Sequence, residues 1–257
     1  MHTLRSRDGT RIAYEVSGTG PALVFVNGAL TDRTSVAPLR PLLDPHFTVV
    51  AYDRRGRGDS ADTAPYAAER EVGDLAAVLE AVGAPFVFAH SSGAILALRA
   101  ATSGVPMRRL AVNEPPFILP GTRPVPPPEI TARIAERVAA SDREGALRIF
   151  LVEQVSLPPA AFEHLKASPV WPRMLALAHT ASYDSALSMP SELPVATLAT
   201  LSLPTLVSNG TASSAWLAET AAALVRALPN ARAVHLEGQP HSPAPEVLAP
   251  VLVDFFR

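Results

Sequence analysis

Five consecutive residues, Ala89-His90-Ser91-Ser92-Gly93, offer the clearest chemistry in this chain. They lie between a short apolar run, Pro85–Ala89, and an Ala- and Leu-rich stretch, Ser92–Thr102. A serine raised on a tight strand-to-helix turn needs small residues two positions before and two after it, because larger side chains would clash with their neighbours. Ala89 and Gly93 meet that need around Ser91, whereas centring the turn on Ser92 would put His90 at the crowded position. Ser91 would then sit at a helix N-terminus, where free N–H groups and the helix dipole favour developing negative charge. The plainer reading is a serine-rich helix cap with His90 packed under a sheet.

A serine hydroxyl attacks only when a base takes its proton. Seven histidines could supply one. His241 stands in a Gly-Pro loop after the last strand-like run, Ala231–Leu236. His235 lies inside that run and is expected to be packed, and His90 should point away if Ser91 is the nucleophile. His2, His46, His164 and His179 have no comparable placement.

Composition narrows the chemistry further. The 257 residues contain no cysteine, which excludes a thiolate nucleophile, a disulfide framework and any Cys-based metal site. No metal and no cofactor are expected. With 22 basic against 24 acidic residues the net charge is −2, so neither nucleic acid nor an anionic membrane is an expected partner. The segment Met1–Ala13 is polar, without the apolar core of a signal peptide, and no apolar run reaches the roughly 18 residues of a membrane span. A soluble, cytoplasmic monomer or homodimer is the expectation.

The elements that must hold these residues read as an α/β protein. Arg11–Ser17, Ala22–Asn27, Phe47–Tyr52, Pro85–Ala89 and Arg109–Asn113 are short β-branched or aromatic runs, as strands buried on both faces of a parallel sheet require. Between them, Val72, Leu75, Leu79 and Val82 recur at helical spacing over Glu69–Val82, before Gly83. The rhythm breaks after Asn113. Seven of the 26 prolines fall between Pro115 and Pro128, a stretch that can neither continue a helix nor enter a central strand. From Glu129 to about Leu193 the pattern is helical. Ile130, Ile134 and Val138 form one stripe, and Ser141 with Glu144 reads as a capping box before a helix over Ala146–Val155. Strand–helix alternation resumes with Pro204–Ser208, Ala215–Leu228, Ala231–Leu236 and a closing helix from Pro245. A helical segment is thus inserted into a sheet protein. Arg57-Gly58-Asp59 is a chance adhesion triplet, and Gly18-x-Gly20 lacks the third glycine of a dinucleotide site.

Together the elbow, the Asn27-Gly28-Ala29 loop, the Asp53-Arg54-Arg55-Gly56-Arg57-Gly58-Asp59-Ser60 loop and Gly238-Gln239-Pro240-His241 resemble the α/β-hydrolase superfamily over essentially the whole chain. The resemblance implies a mostly parallel, eight-stranded sheet flanked by helices, with residues 1–115 and 194–257 as core and 116–193 as an inserted helical cap. It also makes His241 the catalytic base. Two departures stand out: the first elbow glycine is Ala89, and the usual His-Gly of the oxyanion loop is Asn27-Gly28. The commonest family position for the triad acid follows Pro204–Ser208, but Asn209–Trp216 holds no carboxylate, and Glu219 falls in a helix, where solvation is expected. Glu114, directly after Arg109–Asn113, keeps the order Ser91, Glu114, His241 and matches the alternative acid position of haloalkane dehalogenases and zearalenone-type lactone hydrolases. A salt bridge to Arg108 or Arg109 is its plainer role.

On this resemblance the N–H groups of Ala29 and Ser92, helped by Gly28, form the oxyanion hole. The apolar segment 116–193 points to a hydrophobic small-molecule substrate, with Leu30, Phe117, Trp171 and Tyr183 as candidate contacts. The activity this implies is hydrolysis of a carboxylic ester or lactone. Carbon–carbon bond hydrolysis, perhydrolysis or cyclisation by the same triad, and a non-hydrolytic small-molecule receptor, are the alternatives. Dehalogenation and epoxide hydrolysis are disfavoured because the resembling families use Asp where this chain has Ser91.

Overall fold

The structure, a computed structural model, describes residues 1–83 and 85–257. Eight strands, β1 (His2–Arg5), β2 (Arg11–Gly18), β3 (Ala22–Val26), β4 (Thr48–Tyr52), β5 (Phe86–His90), β6 (Arg109–Asn113), β7 (Thr205–Gly210) and β8 (Ala231–Leu236), form one sheet. Their order is β1-β2-β4-β3-β5-β6-β7-β8. β2 runs antiparallel to both neighbours, and every later pairing is parallel. β1 has no counterpart among the expected elements. It is a polar edge strand held by backbone pairing from His2↔Tyr14 to Arg5↔Arg11, so no apolar alternation announces it.

Among the described residues the helices are α1 (Arg40–Leu43), α2 (Ala68–Ala81), α3 (Ser92–Thr102), α4 (Ile130–Ala139), α5 (Arg143–Arg148), α6 (Pro159–Lys166), α7 (Trp171–Ala176), α8 (Ala181–Ser188), α9 (Val195–Leu198), α10 (Ala215–Ala227) and α11 (Pro245–Phe256). None is long and apolar enough to cross a membrane. The period-two alternation of strand side chains sorts them onto two faces. Val24, Val26, Val87, Ala89 and Val112 pack with α2, α3 and α10, while Leu23, Phe25, Phe86, Phe88 and Ala111 pack with α1 and α11. β3 is apolar throughout, and β5 is apolar up to His90, because both faces of each strand are covered.

Helices α4 to α9 lie between β6 and β7. Ile130, Ile134, Phe150, Phe162, Trp171 and Leu177 form an apolar cluster there that also takes in Leu30 from the core. Two expectations within this segment are corrected. Ser141 adopts φ 60° and its N–H closes on Val138 O, so it ends α4. Asp142 caps α5 instead, its carboxylate accepting from Gly145 N at 2.8 Å. The helix expected over Ala146–Val155 begins earlier, at Arg143, and passes into a π-helical turn at Ile149–Gln154.

Candidate active site

β5 ends at His90, α3 begins at Ser92, and Ser91 makes the turn with φ 53° and ψ −124°. That conformation is costly for an L-residue and survives only where its surroundings impose it. Two surroundings do so. Ser91 N donates to Asn113 O at 2.9 Å, and Gly93 lets α3 approach β3 so closely that a Cβ there would lie 2.3 Å from Val26 O. The Ser91 hydroxyl makes no protein hydrogen bond among the described residues. The same holds for the N–H groups of Ala29 and Ser92, which leaves two donors free beside it. Gly28 backs directly onto the serine, since a Cβ on it would lie 3.1 Å from Ser91 Cβ.

Register then sets the acid. β5 and β6 pair His90 with Asn113, so Ser91 and Glu114 are the next residues on adjacent strands. Both leave the sheet with positive φ, Glu114 at 48°. The Glu114 side chain is fully buried, and its Oε2 lies 2.5 Å from His241 Nδ1. Its other bonds come from the end of β7 and the segment that follows it, a stretch, Asn209–Trp216, that carries no carboxylate. Gly210 N donates to Oε1 at 2.8 Å, and Ser213 Oγ donates to Oε2 at 2.9 Å. Gly210 has no room for a side chain, because a Cβ would lie 2.1 Å from Gln239 O in the loop that carries His241. The position that lacks an acid therefore supplies the donors that hold one. Arg109 is engaged elsewhere, on Phe255 O. Those donors are what residue-by-residue reading missed, although an acid-free segment of Asn, Gly and Ser was itself a signal.

His90 corrects an expectation. Its ring does not point away but packs against that of His241, with centroids 4.6 Å apart. Asn113 Nδ2 donates to His90 Nδ1 at 3.1 Å and to His241 O at 3.2 Å, while Ser208 Oγ donates to Asn113 Oδ1 at 2.9 Å. This chain of donors needs His90 Nδ1 unprotonated. Burial, followed by the neighbouring His241, pushes the His90 pKa down to about 3. His235 is also corrected: it faces solvent on β8 and bonds Asn209 Oδ1 at 2.8 Å instead of packing inside. Glu219 is solvent-exposed, as expected.

The substrate-contact candidates separate by environment. Leu30 follows the Asn27-Gly28-Ala29 loop and packs into the inserted cluster, and Phe117 is buried three residues beyond Glu114. Trp171 meets Phe162 edge-on inside that cluster. Tyr183 stacks on Tyr66 at 4.3 Å and donates to Asp62 Oδ2 at 2.7 Å, so it ties α8 to the core. The Arg57 of the adhesion-like triplet is wholly buried and bound to Asp184. Among the described residues no group of His, Asp and Glu side chains is arranged to hold a metal ion. An open cleft of about 760 Å³ bordered by Ser6, Asp8, Arg70 and Pro106 lies elsewhere and touches none of Ser91, Glu114 and His241.

The sequence model of the Alpha/beta hydrolase family matches residues 23–251. The chain belongs to that family. It is 50% identical to an alpha/beta hydrolase from Sphaerobacter thermophilus DSM 20745, with a TM-score of 0.96 over 100% of both chains. The enol-lactonase from Burkholderia xenovorans LB400 shares the hydrolase fold at 21% identity and a TM-score of 0.72, covering 99% of each chain. An N-formylmaleamate deformylase from Pseudomonas putida KT2440 is 32% identical over 127 residues, 47% of this chain and 47% of its own length. The match thus spans about half of that relative. Family membership leaves open which branch of the family the chain joins.

Proposed function

We propose that this hydrolase cleaves a carboxylic ester or lactone of a hydrophobic small molecule through an acyl-enzyme, with Ser91 as nucleophile, His241 as base and Glu114 as acid. The observation that carries this reading is the 2.5 Å contact between buried Glu114 and His241 Nδ1, beside a serine on a strained elbow. In the first half-reaction Ser91 Oγ attacks the carbonyl carbon and its proton passes to His241 Nε2. The N–H groups of Ala29 and Ser92, with Gly28 behind them, take the developing oxyanion. His241 then protonates the leaving alkoxide. In the second half-reaction His241 takes a proton from water, which attacks the acyl carbon, and Ser91 leaves with the proton returned. Glu114 holds the imidazole tautomer and stabilises the imidazolium without itself becoming protonated.

Helices α4 to α8 act in this reading as a cap over the site, and Leu30, Phe117, Trp171 and Tyr183 remain the candidate substrate contacts. No cofactor enters the scheme, and the protein is taken to work in the cytoplasm. A second reading keeps the triad but cleaves an N-formyl amide. It is favoured by the partial likeness to the deformylase.

Turnover of p-nitrophenyl butyrate, macrolactones of graded size and an N-formyl amide, with product mass detection, distinguishes these substrates. Ser91→Ala should abolish acyl-enzyme formation and labelling by a fluorophosphonate. Full esterase activity in that variant would overturn the proposal.

A further inference from the structure

We propose that Asp184, on α8 of the inserted segment, is a positioning residue for the oxyanion donors, an inference that rests on the catalytic reading of Ser91 above. The Ser92 hydroxyl donates to Asp184 Oδ1 at 2.8 Å and accepts from Arg54 Nη1 at 3.2 Å. The same Arg54 nitrogen reaches Asn27 O at 3.3 Å and Asp184 Oδ1 at 2.8 Å. One guanidinium therefore touches both segments that would supply oxyanion donors: the residue after Ser91, and the loop Asn27-Gly28-Ala29.

The rest of the cluster fixes that guanidinium. Glu71 accepts from Arg54 Nε at 2.6 Å and Nη2 at 3.0 Å, and Arg57 Nη2 donates to Asp184 Oδ2 at 2.7 Å. All four charged side chains are fully or almost fully removed from solvent. Two positive and two negative groups balance, but Asp184 alone comes from the inserted helices, 130 residues from Arg54.

An apolar contact could hold α8 to the core at least as firmly, since buried ion clusters are seldom worth more than hydrophobic packing. What an apolar contact lacks is direction. Each hydrogen bond here has a preferred direction, and withdrawing Asp184 would leave two buried guanidiniums sharing one carboxylate. The seat of α8 is thereby tied to the position of Ser92 and of the oxyanion loop. Arg173, which joins α7 to Asp32 and Thr34 at the exposed rim, has no such connection to Ser92.

The test compares Ser92→Ala, Asp184→Asn and Arg173→Met in the full chain, using p-nitrophenyl butyrate turnover, an alkyl trifluoromethyl ketone as a tetrahedral analogue, and the melting temperature. S92A and D184N should lower kcat about tenfold and raise the ketone Ki by the same factor, with KM within about twofold of wild type. R173M should leave kcat, KM and the ketone Ki unchanged. Should D184N fail to fold, S92A, which removes one neutral hydroxyl, carries the same expectation. Wild-type kcat and Ki in S92A would overturn the proposal, as would an equal loss in R173M, because general loosening of the inserted helices would then explain the effect. A wild type that neither turns over the ester nor binds the ketone would overturn the catalytic reading of Ser91, and this proposal with it. That outcome is distinct from variants that match an active wild type.

Discussion

Glu114 accepts three hydrogen bonds while wholly buried, which makes it a fixed partner for the imidazole. Glu114→Gln keeps the shape but offers an N–H or a neutral oxygen where an anion stood, so the ring loses its enforced tautomer. On the proposed triad, kcat for p-nitrophenyl butyrate should fall about 10³–10⁴-fold with the melting temperature little changed. His90 makes a separate prediction. Its pKa is lowered from 6.5 to about 3 in the fold, so between those values the unfolded chain binds the extra proton and stability falls as the pH drops. The slope should approach about 1.4 kcal/mol per pH unit below 6.5, and His90→Gln should flatten it. Urea unfolding at pH 7 and pH 5 measures both. An identical slope in the variant would place the proton uptake on another group.

At the scale of elements, the site depends on close approaches that only a missing side chain allows. Gly210→Ala would drive a Cβ into Gln239 O and displace the loop of His241. We expect at least a tenfold loss of kcat, because small misplacements of reacting groups are expensive, together with a lower melting temperature. Most elements were legible because their signals are local. The apolar runs of β3, β5 and β6 and the three–four spacing of α2 follow from what a buried strand or a one-sided helix must present. β1 was not legible, since a four-residue edge strand paired through its backbone shows no apolar alternation. The end of α4 was misread for a related reason. Ser141 and Asp142 are both good caps, and only the backbone torsion at Ser141 decides which one starts α5.

Across the whole molecule the inserted helices and the sheet meet through charges. Burial alone would raise the carboxyls of Glu71 and Asp184, but Arg54 and Arg57 hold both below their ordinary values of 4.5 and 3.8. A depressed folded pKa gives stability that is complete above the ordinary value and is lost as the pH falls through the folded one. Unfolding should therefore steepen below about pH 4, adding to the slope that His90 sets between pH 6.5 and about 3. Glu71→Ala should cost about 3–5 kcal/mol, because it leaves the buried guanidiniums of Arg54 and Arg57 sharing the single carboxylate of Asp184. Arg173→Met, at the exposed rim, should cost about 0–1 kcal/mol. Added salt should weaken only the second contact, which chemical denaturation in low and high sodium chloride can measure.

The sequence by itself determined the fold class, the elbow around Ser91 and the candidacy of His241 and Glu114, since each rests on short-range rules of packing, turn geometry and chain order. Tertiary structure decided what those residues touch. Register beside β6 set Ser91 next to Glu114, and the carboxylate-free stretch Asn209–Trp216 at the end of β7 became the cradle of Glu114. His90 came to lie against His241 instead of away from it. The ion cluster of Arg54, Arg57, Glu71 and Asp184 was invisible in the chain, because a buried charge is specified by partners distant in sequence and its own neighbours carry no trace of them.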